Sequence, residues 1–127
     1  RRGQRHRLCH GRGGRGTSDA GQSHHRQAQE LCDRIRAAFP ESSVAVGDAN
    51  PSGHDIVVNG TSLGMRPGDA IPLDVAGLAP GMVVAEVIME PEITPLLAEA
   101  QARGCRIHLG KPMLEQQLEL MASFFKL

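Results

Sequence analysis

The run Met82–Met89 limits the choice of folds more than any other segment, because it is apolar at every position except Glu86. Such a run is typical of a strand in a parallel sheet that is covered by helices on both faces. It is followed by Thr94 and Pro95, a favourable helix start, since a Thr hydroxyl can accept a bond from an unpaired backbone N–H and Pro needs no donor at the first helical position. We therefore predict a strand followed by a helix, with an unexplained carboxylate near the end of the strand.

The same alternation of short apolar runs and amphipathic stretches extends from residue 28 to the end of the chain. The other predicted elements are a helix over Ala28–Phe39, strands over Ser43–Val46, Ile56–Val58 and Cys105–Leu109, and a final helix over Met113–Phe125. Gln117 is the one amide on the apolar stripe of the final helix, where a side chain needs a polar partner. Strands separated by helices predict an α/β fold with a parallel sheet, whose ligands bind beyond the carboxyl ends of the strands.

Charge and composition divide the chain in two. Residues 1–27 hold seven Arg and one Asp, a charge of +6, whereas residues 28–127 hold seven basic and thirteen acidic residues, a charge of −6. The three cysteines, Cys9, Cys32 and Cys105, are far apart, which predicts reduced thiols and no metal site. No run of about eighteen apolar residues occurs, and the start is too polar for a signal peptide. We therefore expect a cytoplasmic protein without a membrane partner.

Three motifs lie at the ends of the predicted strands. The sequence reads N-G-T-S-L-G-M over Asn59–Met65, P-E-I-T-P-L-L over Pro91–Leu97 and G-K-P-M-L-E-Q-Q over Gly110–Gln117. In this order and spacing they resemble the shikimate/quinate dehydrogenase family, whose patterns are N-A-T-S-x-G-M, P-x-x-T-P-L-L and G-x-x-M-L-x-x-Q. The resemblance covers residues 28–127 and implies part of a Rossmann-like NAD(P)-binding domain with a parallel sheet and flanking helices.

The resemblance also implies a reaction and a set of site residues. The reaction is reversible hydride transfer between NADP or NAD and shikimate or quinate, in which the cofactor supplies the hydride chemistry. Gln117 is implied to bind the substrate. The residues implied to bind the cofactor are Asn59, Thr61, Ser62, Met89, Gly110 and Met113.

Two departures bear on activity. Met89 stands where the family often has Tyr, which is interpreted either as a mark of a divergent branch or as ordinary core filling by a flexible side chain. In the family, a Lys and an Asp of a separate N-terminal domain handle the proton, and neither Lys111 nor Lys126 matches that Lys motif. We therefore predict no catalytic residue in this chain and no dehydrogenase activity of the chain alone. The alternative is a non-catalytic nucleotide-fold module with a binding or regulatory role.

Residues 1–27 lack the strand and glycine-rich turn with which the family's dinucleotide fold begins. Read one base out of frame, with synonymous codons chosen freely, residues 1–24 can encode a glycine turn, an apolar helix, a strand and an Asn-Arg-Thr that resembles the family's phosphate-recognition segment. We hypothesise that the segment is a frameshifted translation. The alternatives are a disordered tail and a basic arm that binds nucleic acid through phosphate contacts, although the arm has no aromatic residue for stacking bases.

Overall fold

The computed structural model describes residues 18–126, with side chains from residue 25 onward. The three strands pair in the order β1-β2-β3, and both pairings are parallel. The parallel sheet with flanking helices is thereby confirmed. The elements are α1 (Ser18–Ala38), β1 (Ile56–Asn59), a short 3₁₀ helix (Val75–Gly77), β2 (Val83–Glu86), α2 (Pro95–Ala102), β3 (Arg106–His108) and α3 (Lys111–Phe125).

The two faces of the sheet differ in how well they are covered. On one face Val57 and Val84 are buried in a core that also contains Leu96 and Leu97 of α2. Side chains that alternate along β1 point to opposite faces, so Ile56 and Val58 lie on the other face. There they are 63% and 57% exposed. Within the described residues, the hydrophobic core thus covers one face of β1 and leaves the other open.

Helix α2 begins and ends as the sequence predicts. The Thr94 hydroxyl accepts from the Leu97 N–H at 3.2 Å, which satisfies one of the unpaired donors of the first turn. Pro95 occupies the first turn, and the helix ends at Ala102. Gly104 then takes a φ of +78°, a left-handed conformation that glycine adopts without steric cost. The chain consequently turns back at once into β3.

Two features near α1 differ from the expectation. The helix begins at Ser18 rather than at Ala28, so it crosses the boundary expected at residue 27. The strand expected over Ser43–Val46 is wrong, since only an isolated bridge forms at Val46. The carbonyl of Val44 instead accepts from Nε and Nη2 of Arg36, at 3.1 and 2.6 Å. These bonds tie the segment to α1. The frameshift stays a hypothesis, and residues 1–17 lie outside the described part.

Helix α3 has the expected apolar stripe, but the stripe is not packed. No residue of α3 is buried, and α3 packs against no other helix or strand of residues 18–126. Gln117 is exposed, so within the described residues the apolar stripe on which it lies is not a buried face. None of the helices in the described part of the chain combines the length and apolarity that a membrane crossing requires.

Candidate functional site

Three loops meet at the carboxyl edge of the sheet, and we call this edge the strand-end rim (residues 59–65, 87–94 and 109–113). A Cβ built on Gly64 would lie 3.5 Å from the Thr94 Cβ and 3.6 Å from the Ile88 Cδ1, so the first two loops are in van der Waals contact. A Cβ on Gly110 would collide with the carbonyl oxygen of Ile88. Only glycine therefore allows the third loop to approach the second so closely.

Three buried polar residues, at the ends of β1 and β2 and at the start of α2, form a single cluster at the base of the rim. Asn59 ends β1, Glu86 ends β2 and Thr94 caps α2, and their exposed fractions are 3%, 2% and 0%. The Asn59 Nδ2 donates to both carboxylate oxygens of Glu86, at 3.1 and 3.0 Å. The Thr94 hydroxyl donates to Oε1 of Glu86 at 2.8 Å. This buried polar triad accounts for the carboxylate at the end of an otherwise apolar strand.

The amide of Asn59 also closes the turn that follows β1. Its Nδ2 donates to the Leu63 carbonyl at 3.1 Å. Its Oδ1 accepts from the Thr61 N–H at 3.0 Å and from the Thr61 hydroxyl at 2.7 Å. The same hydroxyl accepts from the Leu63 N–H at 3.2 Å. Both ends of the Asn59 amide are thus engaged within the protein, where they hold the turn in shape.

A second carboxylate anchors the far end of the same loop. Asp69 accepts from the backbone N–H of Gly64 at 3.1 Å and of Arg66 at 3.0 Å. The hydrogen bond from Arg66, and then that from Gly64, lower the pKa of Asp69 from its ordinary value of 3.8, because both bonds favour the charged form. The segment that carries Met65 is consequently held at both ends.

Two helices begin at the rim, and their amino ends carry partial positive charge from unpaired backbone N–H groups. Thr94 caps α2 with its hydroxyl, whereas Gly110 provides no side-chain cap for α3. The first turn of α3 is therefore the better placed of the two to donate a hydrogen bond to an external acceptor group. Within the described residues, no group of three His, Cys, Asp or Glu could hold a metal ion.

The predicted site residues divide into buried supports and accessible side chains. Asn59 and Gly110 are buried, Thr61 is half-buried, and Ser62 is exposed. Met89 is 45% exposed, so its interpretation as core filler is wrong. Gln117 lies on the exposed surface of α3, one turn beyond Met113.

Two residues were given no role from the sequence. Met65 closes the first motif and is 55% exposed, which makes it one of three exposed methionines, each on a different loop of the rim, with Met89 and Met113. The sequence shows Glu86 only as a carboxylate within an apolar run. That anomaly was the available signal, but its partners depend on the register of β1 and β2, which places Asn59 opposite Glu86.

The chain is similar to curated dehydrogenases of one family. It is 42% identical to the shikimate dehydrogenase (NADP(+)) of Rhizobium meliloti (strain 1021) over 91 residues, which make up 72% of this chain and 32% of that relative. The chain thus spans about a third of the length of the curated relatives that it matches. No protein-family profile matches the chain.

Solved structures show the same likeness. The quinate dehydrogenase of Corynebacterium glutamicum in complex with NAD is 33% identical and superposes with a TM-score of 0.61, over 70% of this chain and 33% of that one. The ligand-free 5-ketofructose reductase of Gluconobacter sp. strain CHM43 is 32% identical, with a TM-score of 0.62 over 70% of this chain and 34% of that one. Together with the three motifs at the strand-end rim, these likenesses show that the chain belongs to the shikimate/quinate dehydrogenase family and corresponds to part of its members.

Proposed function

We propose that this chain forms the nicotinamide side of the cofactor site in an NAD(P)-dependent dehydrogenase that interconverts a hydroxyl and a ketone on shikimate or quinate. The observation that carries the proposal is the meeting of the three family motifs at one edge of a parallel sheet. Ligands of open parallel sheets bind at this edge. Two of the proteins described above carry matching names, the shikimate dehydrogenase (NADP(+)) of Rhizobium meliloti and the quinate dehydrogenase of Corynebacterium glutamicum in complex with NAD.

The residues at the rim fit a nicotinamide. Its ring is flat and largely apolar, and the three exposed methionines supply flexible, polarizable side chains that pack well on rings. Its carboxamide needs hydrogen-bond partners, which the exposed Ser62 hydroxyl and the uncapped first turn of α3 can supply. We assign Thr61, Ser62, Met89, Gly110 and Met113 to the cofactor side, with Asn59 as a support beneath them.

In this proposal the chain positions the reactants and excludes water, while the bound cofactor supplies the hydride chemistry. Gln117 lies two turns from the start of α3, where its amide can donate to and accept from a ring hydroxyl. Lys111 is exposed and faces Glu115 at 4.0 Å, which leaves it unsuited to a buried proton-transfer role. We infer that the proton is handled by residues outside this chain and that the chain alone is inactive.

The binding half of the proposal is tested by NMR on the ¹⁵N-labelled chain titrated with NADP⁺ and with NAD⁺. Shifts are expected in residues 60–65, 87–93 and 110–117, and not in residues 77–82, which lie at the opposite edge of the sheet. Gly110→Ala should weaken binding about tenfold or more, because it displaces the start of α3. Gln101→Ala is the control, since Gln101 is exposed near the carboxyl end of α2, away from the strand-end rim. Shifts confined to residues 77–82, or none at millimolar nucleotide, would contradict the proposal.

The catalytic half is tested by turnover. The chain is incubated with NADP⁺ and shikimate, then with NAD⁺ and quinate, and reduced cofactor is followed by absorbance. No turnover above the cofactor blank is expected. A reductive assay with 5-ketofructose and NADPH extends the test to the substrate for which the Gluconobacter reductase is named. Turnover in any of these assays would show that the chain carries its own proton-transfer group, contrary to the proposal.

A further inference from the structure

We propose that Glu86 is a positioning residue for the cofactor: its carboxylate fixes the orientation of the Asn59 amide and, through it, the turn of residues 60–63. This inference rests on the proposed function, because it assigns Glu86 a role toward the NAD(P) site. Glu86 itself is 2% exposed and lies below the rim. It therefore acts through Asn59 and not by contact with the cofactor.

The chemistry of the carboxylate determines which way the Asn59 amide points. An ionised carboxylate only accepts hydrogen bonds, whereas an amide has one donating and one accepting end. The two carboxylate oxygens of Glu86 lie at nearly equal distances from Nδ2 of Asn59, 3.1 and 3.0 Å. A flipped amide would set Oδ1 against the carboxylate and NH₂ against the Thr61 N–H. Glu86 thereby leaves a single orientation in which every group is paired.

That orientation shapes the turn. With Nδ2 facing inward, Oδ1 of Asn59 faces the turn and accepts both the N–H and the hydroxyl of Thr61. The Thr61 hydroxyl is thereby turned inward and accepts from the Leu63 N–H. Ser62, between these two residues, is left exposed at the rim. The direction in which Ser62 and the backbone of the turn face the cofactor thus depends on Glu86.

The same carboxylate joins the turn to the second loop. Oε1 accepts from the Thr94 hydroxyl, and that hydroxyl accepts in turn from the Leu97 N–H at the start of α2. Glu86 therefore holds the end of β1 and the beginning of α2 in a fixed relation. The two loops that this relation controls carry Ser62 and Met89, which are both assigned to the cofactor side.

Stability alone does not explain a carboxylate at this position. None of the ion pairs within the described residues involves Glu86, so hydrogen bonds from an amide and a hydroxyl are its compensation. A buried charge without a counter-ion is costly, and an apolar residue of similar size is often as stable or more so. A residue that lowers stability but orients a turn is better explained by a role in the cofactor site.

The test uses the full 127-residue chain with three variants. Glu86→Ala removes the carboxylate, and Glu86→Gln keeps one carbonyl oxygen that can accept from both Asn59 and Thr94. Glu41→Gln makes the same charge change at an exposed position outside the strand-end rim. The first readout is the ratio of hydrogen-exchange rates at the Thr61 amide and at the Arg106 amide, which donates to Met82 at the other end of the sheet. General destabilisation changes both rates together, whereas lost positioning changes the ratio.

In Glu86→Ala the exchange ratio should rise about tenfold, the factor expected for one lost hydrogen bond. The ratio in Glu86→Gln should stay within about threefold of that in the unaltered chain, and Glu41→Gln should behave as the unaltered chain does. The second readout is NADP⁺ affinity, which should fall about tenfold in Glu86→Ala and be restored in Glu86→Gln. Two results would overturn the inference. One is an unchanged ratio of the Thr61 and Arg106 exchange rates in Glu86→Ala, and the other is an NADP⁺ affinity that stays the same while this ratio rises.

The two proposals fail in different ways. If the unaltered chain binds neither NADP⁺ nor NAD⁺, the proposed function fails, and the exchange ratio still decides whether Glu86 positions the turn. If the unaltered chain binds nucleotide while Glu86→Ala binds equally well, the proposed function stands and the inference about Glu86 is wrong.

Discussion

The strand-end rim and helix α3 are two regions of one chain that meet at Gly110, yet they are stabilised in opposite ways. At the rim the buried polar residues find their partners within the chain, so that Asn59, Glu86 and Thr94 form one network. Along α3 no side chain is buried, and Phe124 is 81% exposed. The rim is therefore ordered by contacts within this chain, whereas α3 exposes an apolar surface.

The sharpest test of the contrast is a deletion in the core that supports the rim. Leu97 of α2 is fully buried against the sheet. Leu97→Ala should lower the free energy of unfolding by about 2–5 kcal/mol, through lost burial and the cavity that remains. Urea unfolding followed by circular dichroism measures this loss. A loss below about 1 kcal/mol would mean that α2 does not hold the rim in place.

The second test removes one hydroxyl from the buried polar triad. Thr94→Val keeps the shape of the side chain but removes both its bond to Glu86 and its cap on Leu97. We expect a loss of about 1–3 kcal/mol in the free energy of unfolding, because a buried carboxylate loses a donor and a helix loses its cap. Thr94→Ser is the control, since it keeps the hydroxyl. A loss in Thr94→Val that is no larger than the loss in Thr94→Ser would mean that the hydroxyl contributes no more than the methyl group that Ser lacks.

The third test is the dependence of the rim on pH. The pKa of folded Asp69 lies below its ordinary value of 3.8 because of the bonds from Arg66 and Gly64. The ionised Asp69 side chain therefore stabilises the fold fully above the pKa that it has in the unfolded chain. This stabilisation is lost as the pH falls through the lower pKa that it has in the folded chain. The urea midpoint of the unaltered chain should exceed that of Asp69→Asn at neutral pH, and the two should converge in acid. Asp55→Asn, at an exposed carboxylate, controls for net charge, and a gap that persists in acid would contradict the assignment.

Sequence patterns predicted those parts of the fold that depend on local chemistry. The strand at Val83–Glu86 and the helix start at Thr94 and Pro95 follow from apolar runs and capping residues, and both were confirmed. The strand at Ser43–Val46 was wrong because a single side chain, Arg36, takes the carbonyl of Val44. The spacing of apolar residues predicts a strand, but it cannot predict that a side chain will bind a backbone carbonyl that the strand needs.

The site shows a similar division. Motifs and strand ends predicted that the loops at Asn59, Pro91 and Gly110 would meet at one edge, and they do. The role of Asn59 could not be read in this way, since its amide is engaged by Glu86, 27 positions away in sequence. The exposure of Gln117 could not be read either, because an apolar stripe predicts a buried face only where something covers it.

The smallest expected effect lies on α3 and completes the contrast with Leu97. Leu120 is 72% exposed, so Leu120→Ala removes the same atoms from a side chain with little burial to lose. The free energy of unfolding should change by no more than about 0.5 kcal/mol. A loss of more than about 1 kcal/mol would show that α3 is packed in solution, either on the open face of the sheet or on a second chain. Repeating the unfolding at tenfold different protein concentrations separates these two cases, because only association makes the midpoint depend on concentration.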